Sequence, residues 1–194
     1  MRISPNPIGS YPWYLRPFFW AQRRRYGEVL EPALVWARSP KLFATLALFF
    51  GALDRNSSPI PPAIRSLVTV RVSQINWCRF CVDINGATLL ERGMPLAKLE
   101  AVAEWQTSSL FDERERVALE YAERMTDTAL QVDDALMARL KKIFDDDAIV
   151  ELTGLIAFQN LSSKFNAALD VPPQGFCKVP ESKTLPKMAS GTSS

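Results

Sequence analysis

The chain has 194 residues, of which 47% are hydrophobic and 23% are charged, and it contains no histidine. This balance excludes a disordered or fibrous protein, and a chain of this length can bury a core without structural disulfides. Catalysis that uses histidine as a proton shuttle or a metal ligand is excluded as well.

The first segment in chain order, residues 1–53, is predicted to be a helical arm that is both basic and aromatic. It carries seven Lys or Arg residues against two Asp or Glu residues, whereas the whole chain has a net charge of only +2. We expect a first helix over about residues 16–28. Pro32 and Pro40 then divide the remainder into short helices, with Pro40 in the first turn of its helix.

Three consecutive arginines, Arg23–Arg25, lie among aromatic residues of this arm. Such a mixture could bind nucleic acid or an anionic surface. We predict no nucleic-acid site, because three arginines neutralise few phosphates. The favoured interpretation is an arm that packs its aromatic residues on a neighbouring subunit and leaves the arginines in water.

The longest apolar run, residues 42–53, has 12 residues. A membrane-spanning helix needs about 20, so we predict a buried helix and no membrane span. Residues 1–15 contain prolines and lack the apolar core of a secretory signal. With three cysteines and no export signal, the chain is expected to reside in the reducing cytoplasm.

A polar, proline-rich break over residues 54–62 separates the arm from a predicted domain that spans residues 54–173. The segment after Pro62 is ambiguous. The alternation of β-branched residues in Val68–Val72 favours a strand. The proline at its start and the helical spacing of its apolar residues favour a helix. We predict a helix.

The remaining helices are predicted from their ends. Gly93 should stop a helix that begins at Cys78, and Pro95 should open the next one. Asp112 and Glu115 have the form of a capping box. The other expected starts are Asp133 and the acidic run 145–147, which opens a largely apolar and therefore central last helix. The sequence predicts an all-α domain and a flexible tail, residues 174–194. It has no glycine-rich phosphate loop, and no cofactor is predicted.

Cys78 and Cys81 form a CxxC pair in the segment NWCRFCVDINGA, residues 76–87. Zinc needs about four ligands, and the only further thiol is Cys177, so we predict no metal site. On a helix, the two sulfurs lie on one face and can form a disulfide, and a helix N-terminus stabilises a thiolate. Cys78 lies nearest that end and is expected to be the more acidic thiol. Two inert buried cysteines are the alternative, which the spacing leaves open.

Three segments in the same order, residues 65–93, 111–126 and 145–173, resemble the carboxymuconolactone decarboxylase superfamily. They are most similar to its alkyl hydroperoxidase D (AhpD) branch, and the arm lies outside the resemblance. The resemblance implies an AhpD-like helical bundle and a homo-oligomer, a trimer or a hexamer. It also implies a cysteine pair that reduces peroxides and that a partner dithiol regenerates.

The carry-over of that branch's functional residues is incomplete. Cys78 and Cys81 match its catalytic pair, but its relay glutamate falls on Ser66 and its relay histidine falls on Asn85. A positioned acid–base group typically contributes about 10²–10⁴-fold to a rate, so peroxide reduction is expected to be slow. Arg71 and Gln74 share a helix face with Cys78 and are predicted as possible hydrogen-bond donors of the pocket.

The function predicted from these observations is that of a thiol-dependent antioxidant protein. Its Cys78–Cys81 pair would act as a thiol–disulfide reductase or as a slow alkyl hydroperoxidase. A non-catalytic oligomeric scaffold or binding protein with a vestigial thiol pair is the alternative. A lactone decarboxylase is a weaker alternative, because a chain without histidine lacks the usual acid–base groups.

Overall fold

The computed structural model describes residues 1–179, which contain only helices, turns and irregular segments. After two short 3-10 turns the helices are α1 (Arg16–Tyr26), α2 (Glu31–Trp36), α3 (Pro40–Leu53), α4 (Pro62–Ile75), α5 (Arg79–Glu91), α6 (Leu96–Ala101), α7 (Glu113–Thr126), α8 (Asp134–Lys141) and α9 (Asp146–Ala168). The predicted all-α fold is confirmed, as is the choice of a helix for α4. No helix within this range is long and apolar enough to cross a membrane.

The helix boundaries follow from local chemistry. Asp112 accepts a hydrogen bond from the Glu115 N–H at 2.8 Å, and the Glu115 side chain accepts one from the Asp112 N–H at 2.9 Å, so the predicted capping box is present. Asp133 and Asp145 each cap a helix, α8 and α9, by accepting a backbone N–H. Helix α1 ends two residues before the predicted boundary, because Gly27 adopts a left-handed conformation at φ 83°.

Helix α4 is the centre of the domain. It packs against α5, α7 and α9, and the side chains of Val68, Val70 and Val72 are completely buried. Helix α9, predicted to be central, packs on α3, α4, α5, α7 and α8. Because α4 is covered on almost every side, its apolar residues lack the one-faced pattern of a surface helix, which is why its sequence also resembled a strand.

The arm packs on its own chain. Trp36 stacks on Phe165 of α9 with ring centroids 3.4 Å apart, and Phe49 and Phe50 contact Phe158 of the same helix. This corrects the expectation that the aromatic residues of the arm pack mainly on a neighbouring subunit, since α9 already presents matching rings. Several arm residues nevertheless remain exposed to solvent: Trp13 at 77%, Trp20 at 62% and Leu48 at 68%.

The segment after α9 is anchored where the sequence predicts a flexible tail. The backbone N–H groups of Gln174, Gly175 and Cys177 donate to the carboxylate of Asp83 on α5, at 2.6–2.8 Å. Hydrogen bonds to a buried carboxylate therefore hold residues 174–177 against α5, within the segment predicted to be a flexible tail. Residues 180–194 of the predicted tail lie outside the described residues.

Candidate active site

The two cysteines lie at the N-terminus of α5, as the sequence predicts. Cys78 is the N-cap residue, and its Sγ accepts a hydrogen bond from the Cys81 N–H at 3.1 Å. The two side chains form a disulfide, with their Cα atoms 5.2 Å apart. Both residues are buried, with 1% of Cys78 and 3% of Cys81 exposed. A sulfur in this position receives the free N–H groups and the positive end of the helix dipole.

A tight turn between α4 and α5 sets the position of Cys78. Trp77 adopts a left-handed backbone conformation at φ 54°, which is uncommon for a residue other than glycine. The neighbouring Asn76 donates from Nδ2 to Asn160 Oδ1 at 2.8 Å and to Ser163 Oγ at 2.9 Å, both on α9. These contacts hold the turn against α9 and fix the start of α5 relative to the core.

A cavity of about 380 Å³ lies between the arm helices and the helices α4, α5 and α9. Its volume falls in the range typical of small-molecule sites. Cys81 lines this cavity, whereas Cys78 does not. Most of the wall is apolar, and the arm contributes Phe18, Trp36, Phe43 and Phe50 to it. Of the two cysteines, only Cys81 thus forms part of the cavity wall.

Amide side chains surround the Cys81 end of the cavity. Asn166 Nδ2 donates to Cys81 Sγ at 3.3 Å, while Asn166 Oδ1 is buried without a hydrogen-bond partner among residues 1–179. Asn85 Nδ2 and Gln159 Nε2 both donate to Ser73 Oγ, at 3.1 Å and 3.0 Å. All three amides line the cavity. None of these amides titrates at neutral pH, so they provide hydrogen bonds at this end of the cavity but no acid or base.

Ser66 and Asn85, the positions of the relay groups in the AhpD branch, both line the cavity. Ser66 Oγ accepts a hydrogen bond from Arg92 Nη1 at 3.0 Å. Arg92 is paired with Asp54 at 2.6 Å, and Arg65 is paired with the same oxygen of Asp54 at 3.1 Å. The cluster formed by Asp54, Arg65 and Arg92 is therefore the charged end of the cavity, and Ser66 belongs to that end.

Arg71 and Gln74 do not line the cavity, contrary to the prediction. Arg71 forms an ion pair with Glu123 of α7 at 2.6 Å, and Glu123 also accepts a hydrogen bond from Trp105 Nε1. Gln74 accepts from Arg71 at 3.4 Å and is completely buried. Glu123 of α7 binds the Arg71 guanidinium outside the cavity. Neither Arg71 nor Gln74 therefore lies where it could donate to a molecule bound there.

Cys177 lies on another side of α5. Its Sγ sits 3.3 Å from the position that a Cβ on Gly86 would occupy, so the segment packs closely on the helix. Burial raises the pKa of the Cys177 thiol, and the charge of Asp83 acts in the same direction. The thiol therefore stays protonated at neutral pH and is a poor nucleophile. Within residues 1–179, no three Cys, Asp or Glu side chains cluster so that they could hold a metal ion.

Asn166 is the site residue that the sequence did not reveal. A signal exists, because Gln159, Ser163 and Asn166 recur at helical spacing on one side of the otherwise apolar α9, and all three are buried. Buried polar residues on one helix face indicate a polar network. The partner of Asn166, however, is Cys81, which lies 85 residues away in sequence, and helix spacing alone cannot identify it.

Sequence comparison places this site in a family context. Residues 27–124 match the model of the Carboxymuconolactone decarboxylase family. This match begins inside the arm, which the sequence had placed outside the resemblance. The chain is also 48% identical over 178 residues to the Uncharacterized protein YnjA of Escherichia coli (strain K12), an alignment that covers 92% of this chain and 98% of the relative.

Solved structures share the fold. The alkylhydroperoxidase AhpD core of a peroxidase-related protein from Ralstonia eutropha JMP134 has a TM-score of 0.81, at 21% identity, over 90% of this chain and 93% of that one. A variant of the debrominase Bmp8 in complex with 2,3,4-tribromopyrrole has a TM-score of 0.79, at 21% identity, over 91% of this chain and 93% of that one. At such identities the likeness establishes the fold.

Proposed function

The chain belongs to the carboxymuconolactone decarboxylase family, and from this premise we propose that it is a thiol-dependent antioxidant protein whose Cys78–Cys81 pair cycles between dithiol and disulfide. One observation carries the proposal: the pair lies at a helix N-terminus, and one of its two cysteines forms part of the wall of an apolar cavity. A merely structural disulfide has no need of a cavity of this kind. The reaction is thiol–disulfide exchange or a slow reduction of alkyl hydroperoxides.

The two cysteines take different roles in this cycle. The Cys81 thiolate attacks the peroxide oxygen, the O–O bond breaks, and the products are a Cys81 sulfenic acid and an alkoxide that takes a proton from water. The Cys78 thiol then attacks the Cys81 sulfur, which releases water and forms the disulfide. A dithiol that enters the cavity attacks the Cys81 sulfur and expels Cys78 as a thiolate, which the N–H of Cys81 stabilises.

The side chains at the two relay positions support a slow peroxidase rather than a fast one. Asn85 and Ser66 replace the relay histidine and glutamate, and both are engaged in hydrogen bonds to Ser73 and Arg92. Neither can supply the proton that the departing alkoxide needs. Thiol–disulfide exchange makes no such demand, so it is the reaction that this site supports best.

Turnover assays of single-cysteine variants test the proposal. In the presence of dithiothreitol, Cys81→Ser should abolish the reduction of cumene hydroperoxide and of a small disulfide, and Cys78→Ser should slow both reactions. Cys177→Ser is the matched control and should retain the wild-type rate, because this thiol is protonated and does not line the cavity. If both variants of the pair retain the wild-type rate, the chain is the non-catalytic scaffold and the proposal fails.

Reductive debromination is a second candidate. The apolar cavity beside Cys81 favours it, and so does the fold shared with the debrominase Bmp8. In a balanced cycle, the Cys81 thiolate takes bromine from carbon, the carbon gains a proton, and Cys78 displaces bromide to form the disulfide. Bromide release from a tribromopyrrole, with dithiothreitol as reductant, tests it. Release at the buffer-only rate would eliminate this candidate.

The proposal extends to the partners and the compartment. We expect a homo-oligomer, a trimer or a hexamer, because Trp13, Trp20 and Leu48 leave apolar surface of the arm uncovered in one chain. We place the cycle in a reducing cytoplasm, where a dithiol is available to regenerate the pair. Light scattering of the purified protein gives the subunit number, and a monomer would contradict the first expectation.

A further inference from the structure

We propose that the cavity binds an extended organic anion, with its negative group beside Arg25, Arg65 and Arg92 and its apolar body running toward Cys81. This inference names the substrate class of the same cavity, and it rests on the proposed function only in taking that cavity as the substrate site. The reducible group of such a molecule, a hydroperoxide or a disulfide, lies at the end far from the charge.

The charges that line the cavity carry the first step. Within residues 1–179 the charged lining residues are three arginines, Arg25, Arg65 and Arg92, and one carboxylate, Asp54. Asp54 pairs with both Arg65 and Arg92, so one negative charge faces three positive ones. The nearby Glu151 is held by Arg55 and Ser58 and does not line the cavity. A surplus of positive charge in a partly enclosed space attracts an anion.

Hydrogen-bond donors support the same conclusion. Arg65 is only 4% exposed, and its Nε has no partner among the described residues. Arg92 directs Nη1 to Ser66 and Nη2 to Asp54, which holds its planar group at the cavity wall. A guanidinium has five N–H donors in a fixed fork that matches a carboxylate. The cluster therefore carries a surplus of positive charge and one donor without a partner, Arg65 Nε, for an anionic group.

Arg25 and Tyr26 bring the arm to this end of the cavity. The Arg25 guanidinium lies 5.3 Å from the centre of the Tyr26 ring, and both residues line the cavity. Burial raises the pKa of the Tyr26 hydroxyl, Arg25 lowers it, and Asp54 and Glu91 raise it, so this part of the arm lies next to the charged cluster. One of the three arginines in the run Arg23–Arg25 thus has a specific position.

The shape of the cavity sets the separation between the two ends of the ligand. Cys81, Asn85, Thr88 and Arg92 all line it, and their spacing places them on one face of α5. Arg92 follows Cys81 by 11 positions along the helix, which corresponds to a rise of about 16 Å between their Cα atoms. A ligand that reaches both ends is extended, and the rings of the arm cover its middle. Medium-chain organic acids have this form.

Calorimetric titration of the oxidised protein with octanoate and with octanamide tests the inference. The two molecules share their apolar chain and differ in charge. We expect octanoate to bind at least about tenfold more tightly. Arg92→Gln should remove most of that preference, and Arg25→Gln should weaken octanoate binding at least about threefold. Neither substitution should change the affinity for octanamide. Circular dichroism checks that the variants are folded.

Arg24→Gln is the matched control for Arg25→Gln. It removes the same charge from the preceding residue of the same helix, but Arg24 contacts Trp20 and does not line the cavity. Its octanoate affinity should equal that of the wild type. Equal binding of octanoate and octanamide, no binding of either at millimolar concentration, or equal effects at Arg24 and Arg25 would each overturn the inference. An anion preference in a protein without redox turnover would overturn the proposed function and leave the inference standing.

Discussion

The two ends of the cavity face of α5 have opposite chemistry. At its N-terminal end, Cys81 is surrounded by the amides Asn85, Gln159 and Asn166, which carry no charge. At its C-terminal end, Arg92 belongs to a cluster of ions with Asp54 and Arg65. In the proposed cycle the thiol therefore reacts without a titratable side chain beside it in the cavity wall. The helix terminus and the Asn166 amide would activate it, and the charged cluster would bind the substrate.

Removing the carboxylate would break the charged end and produce the largest effect. Asp54→Ala leaves Arg65 and Arg92 without their shared partner, and Arg65 is almost completely buried. Losing one partner of a buried ion pair costs about 3–5 kcal/mol, so we expect a loss near the lower figure because Asp54 is partly exposed. Urea unfolding measures it. Asp146→Ala, in an exposed pair with Lys141, is the control and should change stability by less than about 1 kcal/mol.

Adding titratable groups at Asn85 of the amide end and at Ser66 of the charged end would supply the relay groups that the AhpD branch has. Ser66→Glu with Asn85→His restores both relay groups and should raise cumene hydroperoxide turnover at least about tenfold. Thr88→His is the control, because it places a histidine on the same face of α5 one turn further from Cys81. A folded double variant without any gain would mean that the cavity is shaped for something other than a peroxide.

The features of the fold and of the site differ in how well the sequence predicts them. The position of Cys78 at a helix start, the capping box of α7 and the helical state of α4 follow from residues close in sequence, and all could be predicted. The ion pair between Arg71 and Glu123 joins residues 52 apart in sequence, and it places Arg71 away from the cavity. The contact between Asn166 and Cys81 depends on how α9 packs. Contacts between distant segments were the part that local patterns could not supply.

Removing one amide would weaken the thiol end by a smaller amount. Asn166→Ala deletes the side chain that donates to Cys81 Sγ. A hydrogen bond to a charged group contributes about 1.5–3 kcal/mol, and sulfur is a weaker acceptor, so we expect thiol–disulfide turnover to fall about three- to tenfold. Thr153→Ala removes a hydrogen bond of the same helix to Tyr121 of α7, which contacts neither a cysteine nor the turn before α5. Equal losses in the two variants would show that Asn166 acts only through packing.

The smallest effect is expected outside both ends, on the exposed surface of the arm. Trp13→Ala with Trp20→Ala removes two of its largest uncovered side chains. The subunit number in light scattering should fall, because burial of apolar surface between protomers stabilises an oligomer. Turnover in the cavity should change by less than about twofold. If the double variant keeps the subunit number of the wild type, this surface does not contribute to the oligomer.

The central claim is that Cys78 and Cys81 are a working redox pair, and a glutathione redox titration with alkylation and mass spectrometry tests it most directly. We predict that the two thiols appear together, with a reduction potential between about −180 and −270 mV, the range of thiol–disulfide oxidoreductases. Cys177 should be detected as a thiol throughout. A pair that stays oxidised below about −300 mV would be a structural disulfide, and that result would contradict a redox role for Cys78 and Cys81.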